Sequence, residues 1–87
     1  MNIKSEIERF ILDDLLAGSH SSLDPETPLF SSGLLDSLGT LRLITFLEER
    51  FGLQIGDGEV GDENFKSLSR IQAFVERKLA QGAVSSS

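Results

Sequence analysis

Apolar residues recur near the N-terminus at Ile3, Ile7, Phe10, Ile11 and Leu15, the i, i+4, i+7, i+8, i+12 rhythm of one buried helical stripe. Leu12 and Leu16 widen the stripe, while Lys4, Glu8 and Arg9 sit mostly outside it. The spacing predicts a first helix over about residues 3–17, closed by Gly18. From Ser19 to Asp36 the rhythm gives way to turn residues. Asp24-Pro25 can start a short helical turn, and Pro28 biases Thr27 toward extended backbone. Leu23, Leu29 and Phe30 are the apolar residues available to pin this loop to a core. Ordered loops of this length in a small domain are often functional.

Periodicity resumes in a second helix that begins at Asp36 or Ser37, either of which can cap it, and ends at Phe51 before Gly52. Its apolar residues exceed what one face requires. Leu43, Ile44, Phe46, Leu47 and Phe51 suffice for the core, which predicts Leu38 and Leu41 to be partly exposed, as on a docking surface. The competing reading is a wide core stripe that reaches the first turn. Gly56-Asp57-Gly58-Glu59-Val60-Gly61 reads as a flexible acidic linker, and Asp62 to Phe65 as a short third helix carrying Phe65 inward. Ser67 has the position of an N-cap for a last helix burying Leu68, Ile71, Phe74, Val75 and Leu79. The expected fold is all-α, a bundle of three main helices plus one short helix. A long loop joins the first two, residues 1–81 form a single domain, and 82–87 are a flexible tail.

With 87 residues the chain is one domain, with a modest core and little room for a deep enzymatic cleft. Its formal net charge of −6 disfavours nucleic acid and anionic membranes, which require clustered Lys and Arg. The same charge attracts partners with basic patches, although simple solubility explains it equally well. Cysteine is absent, which excludes disulfides and thiol chemistry by the chain itself. No segment approaches the roughly 18 apolar residues of a membrane span, and no signal peptide is visible, so the cytoplasm is the expected compartment.

Several chemistries are excluded by their missing parts. A serine hydrolase needs a base and a group that orients it. The one histidine, His20, lies in a polar loop and reads as a solvated residue. The nucleophile-elbow pattern fails because Leu35 occupies its first glycine position. An EF-hand loop counted from Asp57 places Leu68 at the twelfth position, where a bidentate Glu is required. That acidic run reads as a solvated face with at most weak affinity for divalent ions. None of the glycines at 52, 56, 58 and 61 is followed by the Lys-Ser/Thr of a phosphate loop.

What remains is Ser37, a serine at the start of a helix, flanked by Asp36 and by leucines. A hydroxyl there is exposed, rigidly held and close to the positive end of the helix dipole, where a phosphate is favoured. With no base to activate it, this serine reads as a substrate for other enzymes.

The segment Leu29-Phe30-Ser31-Ser32-Gly33-Leu34-Leu35-Asp36-Ser37-Leu38 resembles the attachment motif of acyl carrier proteins and the related peptidyl and D-alanyl carrier proteins. The resemblance continues through Glu48-Glu49-Arg50-Phe51-Gly52-Leu53-Gln54-Ile55 and resumes at Glu63-Asn64-Phe65-Lys66-Ser67-Leu68, covering roughly residues 3–80. It implies a carrier that is not an enzyme. A phosphopantetheinyl transferase would move 4′-phosphopantetheine from coenzyme A onto Ser37. An acyl or aminoacyl ligase or synthetase would then load the arm's thiol as a thioester, for a downstream acyltransferase. Asp36 would be recognised by the transferase, besides any capping role. Leu38 and Leu41 would form the apolar part of the docking helix. Glu48 and Glu49 would offer charge to basic partners, or be only a solvated face.

Departures from the fatty-acid type narrow the cargo. Gly39 and Arg42 stand where that type usually carries acidic residues, and Gly39-Thr40 after Asp-Ser-Leu resembles the D-alanyl and aminoacyl branch. Phe46 stands where a small residue is usual, and its buried ring would fill space that a long acyl chain needs. A small cargo, such as an amino acid held outside the bundle, is therefore expected. Arg42 would discriminate against strongly basic partners, or else pair with a helix acid such as Glu49. The protein is expected to be a monomer. The alternative function is an unmodified helical adaptor of the same fold.

Overall fold

The computed structural model describes residues 2–15 and 23–85, the side chains of Asp62 and of 81–85 excepted. Four α-helices follow one another: α1 (Ile3–Phe10), α2 (Ser37–Phe51), α3 (Asp62–Phe65) and α4 (Leu68–Ser85). Helices are the only regular structure among the described residues, as the sequence predicts.

Asn2 caps α1, its side-chain oxygen accepting the Ser5 N–H at 3.1 Å. Past Phe10 the helix widens into a π-helical turn over Ile11–Leu15. The sequence predicts an unbroken helix to residue 17. The difference has no local signal, since residues 3–15 contain neither glycine nor proline. Residues 16–22, with Gly18 and His20, lie outside the described residues. Ile7 and Ile11 are fully buried, whereas Ile3, Phe10, Leu12 and Leu15 pack at the core margin.

The core is one cluster in which α1 packs chiefly against α4. Leu43 and Leu47 of α2, Phe65 of α3, and Leu68, Ile71 and Val75 of α4 are fully buried; Phe74 is nearly so. Ser67 precedes α4 as expected: its hydroxyl accepts from Arg70 N–H at 3.4 Å and its carbonyl from Ile71 N–H at 3.0 Å. The helical backbone runs on to Ser85, past Gly82 where the sequence predicts a tail to begin. An 18-residue helix propagates past weak helix formers once its first turns are packed.

Residues 23–36 of the long loop are tied down by backbone and side-chain hydrogen bonds. Leu29 N–H donates to Lys66 O at 2.7 Å, Ser69 N–H to Pro25 O at 3.0 Å, and Ser69 Oγ to Glu26 Oε2 at 2.7 Å. Leu29 and Leu35 are buried anchors, and Leu23 donates its N–H to Glu8 Oε2 at 3.1 Å. Glu8 thus has a structural partner that helical periodicity does not reveal. These ties fix where α2 begins.

The segment before α3 is likewise ordered, in contrast to the linker predicted. Asp57–Glu59 form a 3₁₀ turn in which Glu59 Oε1 accepts from Gly56 N–H at 2.9 Å. The same carboxylate takes both Lys78 bonds, at 3.0 and 3.1 Å, tying the turn to α4. No group of acidic or histidine side chains arranged to hold a metal ion occurs among the described residues. None of the described helices is long and apolar enough to cross a membrane.

Candidate functional site

Asp36 is the N-cap of α2, with extended backbone. Its Oδ1 accepts from Gly39 N–H at 2.7 Å. Its carbonyl accepts twice, from Thr40 N–H at 2.8 Å and from Thr40 Oγ1–H at 2.7 Å. Of the two candidate caps, Asp36 is therefore the one that acts. Ser37 is the first helical residue, exposed, its position set by a cap on one side and the buried Leu35 on the other.

The bonds to Asp36 satisfy the amides of Gly39 and Thr40. Those of Ser37 and Leu38, in the first turn beside the Ser37 hydroxyl, have no partner among the described residues and lie at the positive end of the helix dipole. That donor set fits a phosphodiester on the serine.

Gly39 is tightly placed. A Cβ there would come within 3.1 Å of Asp36 Oδ1 and 3.5 Å of Leu35 Cδ1, so a larger residue would press on the cap. Leu38 and Leu41 are 66% and 60% exposed, the two large apolar side chains that stand out of the surface among the described residues. The core stripe of α2 therefore does not extend to them.

The other sequence candidates divide. Arg42 is exposed, and its Nη2 lies 4.0 Å from Asp14 Oδ2 across to the π-helical turn. Its recorded partner is thus Asp14; Glu49, seven residues on, is two turns away and not in the i+3 or i+4 register that pairs along a helix. Glu48 is half-buried, and its Oε2 accepts from Ile55 N–H at 2.9 Å, fastening the loop after α2. Its carboxylate is partly committed to the fold. Glu49 is fully on the surface.

Phe46 is half-buried, a correction to the buried ring expected. It stacks on Phe10 at 4.2 Å between centroids with 12° between planes, and takes Phe51 edge-on at 6.2 Å. Two ion pairs from α2 flank this stack, Arg42 with Asp14 of the π-helical turn toward Ser37 and Arg50 with Glu6 of α1 at the far end. Thr40, which sequence reasoning passed over, is buried and locks the cap. A threonine four residues after an N-cap is the only signal that pointed to it.

The chain matches the family described as "Phosphopantetheine attachment site" over residues 9–75, a span that includes the whole of α2. It is 31% identical over 75 residues to a probable acyl carrier protein, PigG, of a Serratia species, covering 86% of each chain. It is also similar to a chain in a solved structure described as the crystal structure of an FAD-dependent dehydrogenase. That match has 33% identity and a TM-score of 0.74, and covers 79% of this chain and 97% of the other.

Proposed function

Since the chain belongs to the phosphopantetheine-attachment family of carrier proteins, we propose that Ser37 bears the 4′-phosphopantetheine and that the protein shuttles a small acyl or aminoacyl group. Proteins of this family carry the group covalently and are carriers, not catalysts, working with transferases and synthetases. The observation that carries the assignment is the exposed hydroxyl of Ser37 at the first position of a capped, well-anchored helix, with the unpartnered amides of Ser37 and Leu38 around it.

When attached, the group supplies a terminal thiol on which cargo is held as a thioester, chemistry that a chain without cysteine cannot otherwise perform. The chain's own residues present, orient and recognise. Asp36 holds the first turn and offers a carboxylate to the transferase. Leu38 and Leu41 give partners an apolar foothold beside the serine, with Arg42 and Glu49 setting the charge pattern around it. Glu48 contributes charge to the same face while fastening the following loop.

Three features support a small cargo: Gly39 and Arg42 in place of acids, and the Phe10–Phe46 stack, which places an aromatic pair between α1 and α2 where the fatty-acid type usually has a small residue on α2. The ligase or synthetase, the acyltransferase and a cytoplasmic setting complete this reading. A flavin-linked dehydrogenase is a further partner class, supported by the similar chain in the structure of an FAD-dependent dehydrogenase. Such an enzyme would remove two hydrogens from the tethered acyl group and reduce its FAD, leaving the thioester intact.

Incubation with coenzyme A, magnesium and a phosphopantetheinyl transferase tests the assignment. The intact mass rises by one phosphopantetheinyl group in the wild type and stays unchanged in Ser37→Ala. A folded wild-type protein that gains nothing would leave the unmodified adaptor as the reading.

A further inference from the structure

The exposed face of α2 does not end at Leu41. Leu41, Arg42, Thr45, Phe46 and Glu49 line a shallow, mainly apolar depression that reaches Phe10 of α1. A second depression, along α1, shares Phe10 and Phe46 and adds the charged side chains of Glu6, Arg9, Asp13 and Asp14. The two meet over the stacked rings, so a trough starts one turn from Ser37 and runs along the α1 side of α2.

Its charges are unevenly satisfied. Arg42 is occupied by Asp14 and Arg50 by Glu6. Glu49, like Arg9 and Asp13, has no ion-pair partner among the described residues; of the three it alone stands on α2, at the trough's edge beside the rings. It lies twelve residues after Ser37, about 18 Å along the helix axis. A group tethered to Ser37 by an extended arm can reach that point.

We propose that the trough is the resting seat of the loaded arm, and that Glu49 selects for an α-ammonium, so that the cargo seated there is an aminoacyl thioester. The inference rests on Ser37 being the attachment site. Leu38 and Leu41 supply apolar surface near the serine. The faces of Phe10 and Phe46 receive a small side chain, and the Glu49 carboxylate meets the ammonium. An acyl group of the same size without the nitrogen lacks the last contact. Arg9 and Arg42 are the cations of the lining, against the carboxylates of Glu6, Asp13, Asp14 and Glu49, so the trough stays net acidic.

The experiment loads isotope-labelled protein with alanyl or propionyl phosphopantetheine, held through an amide in place of the labile thioester, and compares NMR spectra. Alanyl and propionyl have the same carbon skeleton and differ by the amine. The expected result is cargo-methyl contacts to the rings of Phe10 and Phe46 and to Leu41 in the alanyl form, with a weaker set in the propionyl form. Glu49→Gln, an exposed substitution, should lower the seated fraction of the alanyl form by about two- to fivefold, the range of one exposed charge pair. It should leave the propionyl form unchanged. Equal spectra for the two cargoes, indifference to Glu49→Gln, or contacts to Ile44 and Ile55 instead would overturn the proposal. Intact mass separates its failure from that of the underlying reading: a protein loaded on Ser37 without these contacts loses only the seat, whereas one that cannot be loaded loses both.

Discussion

At Asp36, the cap and the proposed recognition by a transferase are separable. Its carboxylate caps α2 through Gly39 N–H and precedes Ser37, the proposed attachment site. Asn caps a helix about as well as Asp, whereas Ala does not. Asp36→Asn should therefore keep thermal stability close to wild type while lowering the transferase kcat/KM. Asp36→Ala should lower both, with a stability loss of about 1 kcal/mol. Equal kcat/KM in wild type and Asp36→Asn, measured by mass-resolved loading, would reduce Asp36 to a cap. Gly39→Glu, the change toward the fatty-acid pattern, brings Cβ within 3.1 Å of the capping oxygen and should also destabilise the first turn. The start of α2 at Asp36 or Ser37 was legible in the sequence because a cap followed by an apolar helix is a local pattern. Glu8 was not, since its partner is fifteen positions away in the chain.

At the scale of the element, α2 has a buried and a presented side. Leu43 and Leu47 are fully buried and fill space that nothing else can enter, so Leu47→Ala should cost about 2–5 kcal/mol by urea unfolding. Leu41→Ala, on the exposed side, should change stability by under about 0.5 kcal/mol. Its effect belongs in the KM of partner enzymes. Gly52 ends the helix at φ 68°, in the left-handed region, and its N–H donates to Glu48 O at 3.0 Å. Gly52→Ala should lower stability by roughly 1 kcal/mol. The bounds of α2 were legible because apolar period, cap and terminal glycine agree. The π-helical turn of Ile11–Leu15 was not, because its residues follow the same apolar period as the helix before it and include no glycine or proline. The 3₁₀ turn of Asp57–Glu59 was hidden by the opposite effect: a glycine-rich acidic run looks unconstrained until Lys78 arrives from α4.

For the molecule as a whole, the ties between distant segments determine both stability and the pose of the serine. The Glu59 carboxyl is held below its ordinary value near 4.5, first by the Gly56 N–H and then by Lys78. A carboxyl lowered in the folded state stabilises fully above its unfolded value, and that contribution disappears as pH falls through the folded one. Glu59→Gln should accordingly show a smaller drop in urea midpoint than wild type between about pH 7 and about pH 3. An equal drop would mean the contact with Lys78 is not maintained in solution. The long loop works in the same way, pinned to Lys66 and Ser69 so that α2 starts from a fixed point. Those backbone ties explain why Ser37 differs from Ser31 and Ser32, exposed serines of the preceding turn that no helix presents. The most direct measurement is a fragment mass spectrum of the peptide spanning Ser31 to Arg42 after treatment with transferase and coenzyme A. The added group is predicted on Ser37 alone; its appearance on Ser31 or Ser32, or its absence from folded protein, would contradict the account.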